Sequence, residues 1–230
     1  MAEQPQPVGL LKEQLAAQLK CAIVDGRLIP GQRVVEGAWA REFCVAQASI
    51  REAINLLIAE GFLVKNAGRS ARVPRYSEQD VIRIYEVRGA LEGLAARLAS
   101  EAKANLAGME SAVARMEAAS ARGDLRDLVE ADLSFHLALA EASGNPLLID
   151  MLNRLLRPLF TFILVRVSEI RETTLSWAPD LPRHRGMISL IREGTPSLAG
   201  QYVEHCVGCF VASAQMVWSP DAHPKRRKRA

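Results

Sequence analysis

The chain has 230 residues, 49% apolar and 24% charged, with a formal net charge of +3. That is enough chain for a small domain and a larger one, and the balance is that of an ordinary water-soluble protein. No apolar run approaches the ~18 residues of a membrane span, and a charge this small neither requires nor excludes a nucleic-acid partner.

Met1 to Gly9 carries prolines and no lysine or arginine, so no secretory leader is expected there. Leu11, Leu15, Leu19, Ala22 and Ile23 have the spacing of an amphipathic helix over 10–25. Gly26 ends it, and Pro30-Gly31 supplies a turn. A second short helix is expected over 35–43, through Val35, Ala38, Trp39 and Phe43. Cys44-Val45 then bends into a third, Ala46 to Glu60, whose apolar stripe is Ile50, Ile54, Leu57 and Ile58. Gly61 stops that helix. Phe62-Leu63-Val64 reads as a strand, and the residues up to Val73 read as a returning strand, with Asn66 and Gly68 at the tip. A helix with a small, polar N-terminal end, locked by its apolar face and followed by a β wing, is how a winged helix-turn-helix presents side chains to a DNA major groove. Residues 8–75 are therefore expected to form such a domain.

Pro74 and the Ser77/Asp80 cap mark a boundary. Helical pattern then runs from Val81 through Leu98, and again over about 104–121, 125–142, 146–172, 182–193 and 196–217. Asn145-Pro146 and Thr195-Pro196 each place a capping residue before a proline suited to a first helical turn. Six helices without a strand signal imply an all-α bundle over 77–218. The fold expected for the whole chain is mainly α. Residues 219–230 end in Lys225-Arg226-Arg227-Lys228-Arg229, read as a disordered basic tail with sequence-independent attraction to phosphate. Cys21, Cys44, Cys206 and Cys209 form no framework. Cys206 and Cys209 are spaced C-x-x-C in an apolar helix, and buried or reduced thiols in a cytosolic protein are the reading adopted over a redox or metal pair.

The order G-x-L-x-P-G, then R-E-A-I-N-x-L-x-x-E-G-F-L, then G-x-x-A-x-V resembles the DNA-binding domain of the GntR family of bacterial transcription regulators, across residues 10–74. The resemblance places Arg51 where the family carries an operator-contacting arginine and Gly68 at the wing glycine. Arg33, Ser49 and Arg69 join them as candidate DNA contacts, with Arg41, Lys65 and Arg72 as further phosphate candidates. Where the family has Ser or Thr, then Arg, then Thr-Pro, this chain has Ala46-Gln47-Ala48-Ser49. Arginine suits guanine and glutamine suits adenine, so Gln47 is expected to read adenine or touch only phosphate. The competing readings are a solvated Gln47 and an Arg51 paired within its own helix to Glu52 or Asn55.

Four histidines occur in the chain. His136 lies four residues after Asp132, so both share one helix face. His184 sits early in a later helix and His205 inside the last. One carboxylate and three imidazoles suit a divalent transition metal, although spacing alone also fits satisfied core or surface histidines. The segment Asp-x-x-Phe-His, followed by Ser-Gly-Asn, His-Arg and a last-helix histidine after Tyr202, is similar to the all-helical ligand-binding (FCD) domain of the FadR branch of these regulators. The resemblance implies that Asp132, His136, His184 and His205 hold a metal, zinc first, with nickel or manganese as alternatives. It also implies that Arg88 faces the pocket and grips a carboxylate effector by charge-assisted bonds. The competing reading of Arg88 is a surface pair with Glu92. His223 has no counterpart.

The function these readings imply is a cytoplasmic, homodimeric DNA-binding regulator, expected to be a repressor, and not an enzyme. Its operator would be an inverted repeat, and a small organic acid at the metal would control it. The alternatives are a regulator for which the metal is itself the signal, and a metal-dependent hydrolase, for which no motif supplies a general base.

Overall fold

A computed structural model describes residues 8–65, 70–169 and 180–218. Among these are nine helices: α1 Val8–Val24, α2 Glu36–Glu42, α3 Gln47–Ala59, α4 Glu78–Glu101, α5 Ala107–Arg122, α6 Leu125–Ala142, α7 Pro146–Glu169, α8 Leu181–Glu193 and α9 Pro196–Trp218. The chain divides into two compact units, Met1–Arg75 and Tyr76–Ala230.

In the first unit α3 packs against α1 and α2. Leu15, Leu19 and Ile23 of α1 meet Ile50, Ala53, Ile54 and Leu57 of α3 in a core closed by Trp39, Phe62, Leu63 and Val73. That buried α3 stripe fixes the helix and leaves its first turn outward, where Gln47 is exposed. The expected strand at Phe62-Leu63-Val64 is reduced to one bridging residue. Gly61 adopts a φ of +81°, and the N–H groups of Phe62 and Leu63 both turn back to the Leu57 carbonyl, at 2.9 and 3.1 Å. Those donors are then spent on ending α3 and cannot pair across a sheet. Val64 and Arg72 form an antiparallel bridge, as do Arg33 and Arg72, and no longer strand occurs among the described residues. The wing tip, including Gly68 and Arg69, lies outside them.

The second unit is a six-helix bundle, α4–α9, among the described residues. Ser77 and Asp80 form a reciprocal capping box that starts α4. Asp124 caps α6, and Asn145 Oδ1 accepts from the first-turn N–H groups of α7 at 3.1 and 3.3 Å. Helix α5 begins at Ala107 rather than near Ala104, because Lys103 takes a φ of +49° that no helix continues through, and Asn105 Oδ1 then accepts from Ala107 N–H. Helix α4 runs through the middle of the unit and contacts α6, α7, α8 and most extensively α9. At the α4–α9 crossing a Cβ on either Gly93 or Gly200 would lie 3.0 Å from the other residue's carbonyl oxygen. This close approach packs α9 directly on the Gly89/Gly93 face of α4.

Candidate metal centre and DNA-reading face

Inside the second unit, Asp132 and His136 project from one face of α6 and meet His184 from the first turn of α8. Their metal-capable atoms all lie within 4.8 Å of one another, and the three residues are 5%, 0% and 2% exposed. Asp132 Oδ1 is 3.0 Å from His184 Nε2 and 3.2 Å from His136 Nε2. Phe135 presents its face or edge to both imidazoles, and the Phe210 ring of α9 stacks on His184 at 5.3 Å.

The other ring nitrogens decide what this cluster can do. His184 Nδ1 lies 2.8 Å from the Asp180 backbone carbonyl, which can only accept, so Nδ1 carries the proton. His136 Nδ1 lies 2.6 Å from Glu92 Oε2. Burial works against an ionised Glu92, but the charges and hydrogen bonds of Arg88 and His136 outweigh it and hold its carboxyl below the usual range. His136 Nδ1 therefore donates to a carboxylate. Neutral imidazoles held this way aim two bare Nε2 lone pairs at a carboxylate oxygen. Three acceptors converging in a dry site repel unless a cation, either a proton or a metal, lies among them.

Without a metal the protons supply that cation. Burial and the Arg88 charge oppose a charged His136, yet the Glu92 and Asp132 carboxylates overcome them and raise its pKa. Burial likewise opposes ionised Asp132, but His136 and His184 hold it well below the carboxylate range. His136 Nε2 still has no hydrogen-bond partner. The donor chemistry fits a metal. Donors on a tetrahedral zinc with bonds of about 2.0–2.1 Å sit roughly 3.3 Å apart, close to the separations that Asp132 Oδ1 keeps from the two nitrogens.

His205 is not in this cluster. It lies exposed on α9, with Nε2 3.6 Å from Cys209 Sγ. The buried stripe of α9 is Val203, Cys206, Val207 and Phe210, and His205 falls one residue, about 100° of helix, off that stripe. The inward place beside it belongs to Cys206, whose thiol burial pushes up in pKa. The phase of Val203, Val207 and Phe210 was a signal for this in the sequence.

Arg88 does pair with Glu92, Nε to Oε1 at 2.6 Å, but in the interior and not on the surface: the two side chains are 1% and 0% exposed. Its guanidinium lies over the rings of Tyr85 and Phe160, and its Nη2 has no hydrogen-bond partner. Burial drives the Tyr85 pKa up to about 12, so that ring is a neutral wall. Glu92, weighed in the sequence only as a surface partner, thus links Arg88 to His136 through its two oxygens. An i,i+4 Arg/Glu pair reads the same whether buried or exposed, and only the flanking Gly89 and Gly93 hinted at a close helix neighbour.

In the first unit, Arg51 does not make the intrahelical pair of the competing reading and pairs instead with Glu36 of α2. Glu36 Oε2 accepts from Arg51 Nε and Nη2 at 3.0 and 2.9 Å and from Gln47 Nε2 at 3.2 Å. The Arg51 hydrogen bond is the main cause holding the Glu36 carboxyl low. Glu36 and Gln47 line a concavity of about 500 Å³ with Arg33, Lys65 and Ser70. Ser49 is half-buried in the first turn of α3, and no side chain caps that turn. Arg72 is tied to the Gly31 carbonyl at 2.9 Å. Gly68 and Arg69 lie outside the described residues.

Comparison with known proteins matches residues 11–73 to the bacterial regulatory proteins of the gntR family and residues 83–208 to the FCD domain. The Probable D-xylose utilization operon transcriptional repressor of Paenarthrobacter nicotinovorans is 28% identical over 207 residues, covering 88% of this chain and 89% of its own. The regulator LutR of Bacillus subtilis is 31% identical, covering 67% and 75%. The Glc operon transcriptional activator of Escherichia coli K12 is 28% identical, covering 69% and 70%. A GntR regulator from Rhodococcus sp. RHA1 shares the fold at a TM-score of 0.69 and 21% identity, covering 89% and 96%. The matched families are transcription regulators and not enzymes, and no helix among the described residues is long and apolar enough to cross a membrane. The chain belongs to the GntR family and is a transcription regulator that joins a GntR DNA-binding domain to an FCD domain.

Proposed function

We propose that this regulator carries a divalent metal on Asp132, His136 and His184, with zinc preferred to nickel or manganese, and that a small organic acid binding there changes its affinity for DNA. The observation that carries the reading is the convergence of two Nε2 atoms on Asp132 Oδ1 while both Nδ1 atoms are committed to other acceptors. Three protein donors leave positions open for water or an acid's carboxylate. Arg88 Nη2, unpartnered in the same interior, is the group that would take such a carboxylate's charge. The metal's chemistry here is Lewis acidity toward an anionic ligand, without turnover.

In this reading the α3 end from Ala46 to Ser49 enters the major groove, with Gln47 and Arg51 facing bases and Arg33 and Arg69 facing phosphates. The wing glycine Gly68 approaches the backbone. Two copies on an inverted repeat give the half-site geometry of helix-turn-helix dimers, and binding to the chromosome places the protein in the cytoplasm. The relatives include both a repressor and an activator, and repression is the reading adopted. Because the cluster is buried among aromatic rings, an acid can reach it only if the helices around it shift. A ligand that favours the shifted arrangement changes operator affinity by its difference in affinity for the two states, and DNA opposes the ligand equally.

The test is a titration of small organic acids into the zinc-loaded protein on operator DNA. An acid that shifts DNA affinity in wild type and not in Arg88→Met that is folded and still takes up zinc supports the reading. If every acid leaves DNA affinity unchanged while chelation alone abolishes it, the metal is the signal and the effector reading is overturned.

A further inference from the structure

We propose that Glu92 is the positioning residue of this site: its carboxylate sets the tautomer of His136 and anchors Arg88, so one side chain ties the metal ligand to the anion-binding arginine. The inference rests on the metal reading above for its consequences, but its geometry stands by itself. Glu92 is fully buried, with Oε1 2.6 Å from Arg88 Nε and Oε2 2.6 Å from His136 Nδ1. Both oxygens are used, each by a different element, since Arg88 and Glu92 come from α4 and His136 from α6.

An arginine can only donate, and a carboxylate flanked by a guanidinium can only accept. His136 must therefore present Nδ1–H to Glu92 and keep Nε2 for Asp132 and the gap beside His184. The rival proton position is weak: Nε2 lies 3.2 Å from Asp132 Oδ1 without hydrogen-bond geometry. Backbone holds the second imidazole in the same sense, through the Asp180 carbonyl at 2.8 Å. Outer partners of this kind fix ring orientation and tautomer in metal sites. Here the outer partner of His136 also fixes Arg88, whose Nη2 is left without a hydrogen-bond partner.

Glu92→Gln reverses this pattern of donors and acceptors. An amide has one accepting oxygen, and Arg88 Nε–H can be satisfied only by that oxygen. The amide NH2 then faces His136 Nδ1, which must become the acceptor. The ring switches to its Nε2–H form, and the proton occupies the lone pair a metal needs. Glu92→Asp keeps the charge and the Nδ1–H form, with a shorter reach.

The experiment uses the full chain, with zinc affinity measured by competition with a fluorescent chelator at pH 8. The His136 tautomer is read by ¹⁵N–¹H correlation in histidine-labelled, metal-free protein, at a pH high enough that the ring is neutral and carries a single proton. Expected are a 10–100-fold loss of zinc affinity in Glu92→Gln, a switch of His136 from Nδ1–H to Nε2–H, and a smaller loss with no switch in Glu92→Asp. A folded Glu92→Gln protein that binds zinc within twofold of wild type and retains Nδ1–H overturns the proposal. Should Glu92→Gln fail to fold, wild-type His136 decides: Nδ1–H supports the assignment and Nε2–H overturns it. Wild type that binds no zinc sinks the metal reading, while the tautomer measurement still judges Glu92.

Discussion

Glu92 and Glu36 each hold an arginine and one further nitrogen donor, and the two regions treat that same grouping in opposite ways. Around Glu92 the arginine and the carboxylate are 1% and 0% exposed; around Glu36 they are 57% and 25% exposed. In the interior every unpaired charge carries a large desolvation penalty, so the Arg88–Glu92–His136 chain is fixed as a unit. On the α3 face water can replace either partner, so Gln47 and Arg51 can leave Glu36 for DNA at little cost to the fold. The first arrangement suits a site that must hold its donors still. The second suits a surface that must trade one partner for another.

The largest expected effect breaks the interior unit. Arg88→Leu strands the buried Glu92 charge and should lower unfolding free energy by about 3–5 kcal/mol in urea denaturation, whereas Arg51→Leu should leave the midpoint unchanged. Equal losses from both would erase the contrast between the two regions. Next, His184→Ala should weaken zinc binding by more than the ~10–100-fold typical of outer-shell changes, while His205→Ala should leave it unchanged. A comparable loss from His205→Ala would return that residue to the ligand set.

On the DNA face, Gln47→Arg should move base preference toward guanine, with about 1–3 kcal/mol of discrimination at the contacted position. An operator-library selection that returns the wild-type preference would reduce Gln47 to a phosphate or solvent contact. The smallest effect is pH-dependent. His136 has a raised folded pKa, so its contribution to metal-free stability is full below the unfolded histidine value of about 6.5 and is lost as pH rises through the folded pKa. Asp132, held low, contributes above the unfolded carboxylate value and loses its share only in strong acid. Zinc replaces the proton, so the thermal shift it causes should grow between pH 6 and pH 8. A zinc shift independent of pH would contradict the proton-for-metal exchange.

Much of this was legible from the residues because the signals were local. Asn145 before Pro146 marked the start of α7, and the Asp132/His136 spacing placed two donors on one face whatever the surroundings. The Ser77/Asp80 cap is equally local. What escaped depended on the phase of one helix against another. His205 and Cys206 are neighbours in sequence, and only the packing of α9 on α4 decides which turns inward. Arg88 and Glu92 sit one turn apart in either environment, and only the tertiary packing of Phe160 from α7 and His136 from α6 against them shows that they are interior. The Asp180 carbonyl, which orients His184, is backbone and has no residue signature. The wing strand is shortened to Val64, which still pairs with Arg72, since the Leu57 carbonyl claims the donors of Phe62 and Leu63 before any sheet can.

The most direct measurement is calorimetric titration of zinc into chelator-treated wild type and Asp132→Asn at pH 8. Wild type should take up one zinc per chain, with proton release that increases as the pH is lowered toward 6, and Asp132→Asn, whose amide keeps the shape but removes the charge, should lose most of that affinity. Folded wild type that takes up no zinc, or Asp132→Asn that binds it equally well, would contradict the claim that these three buried residues form a metal centre.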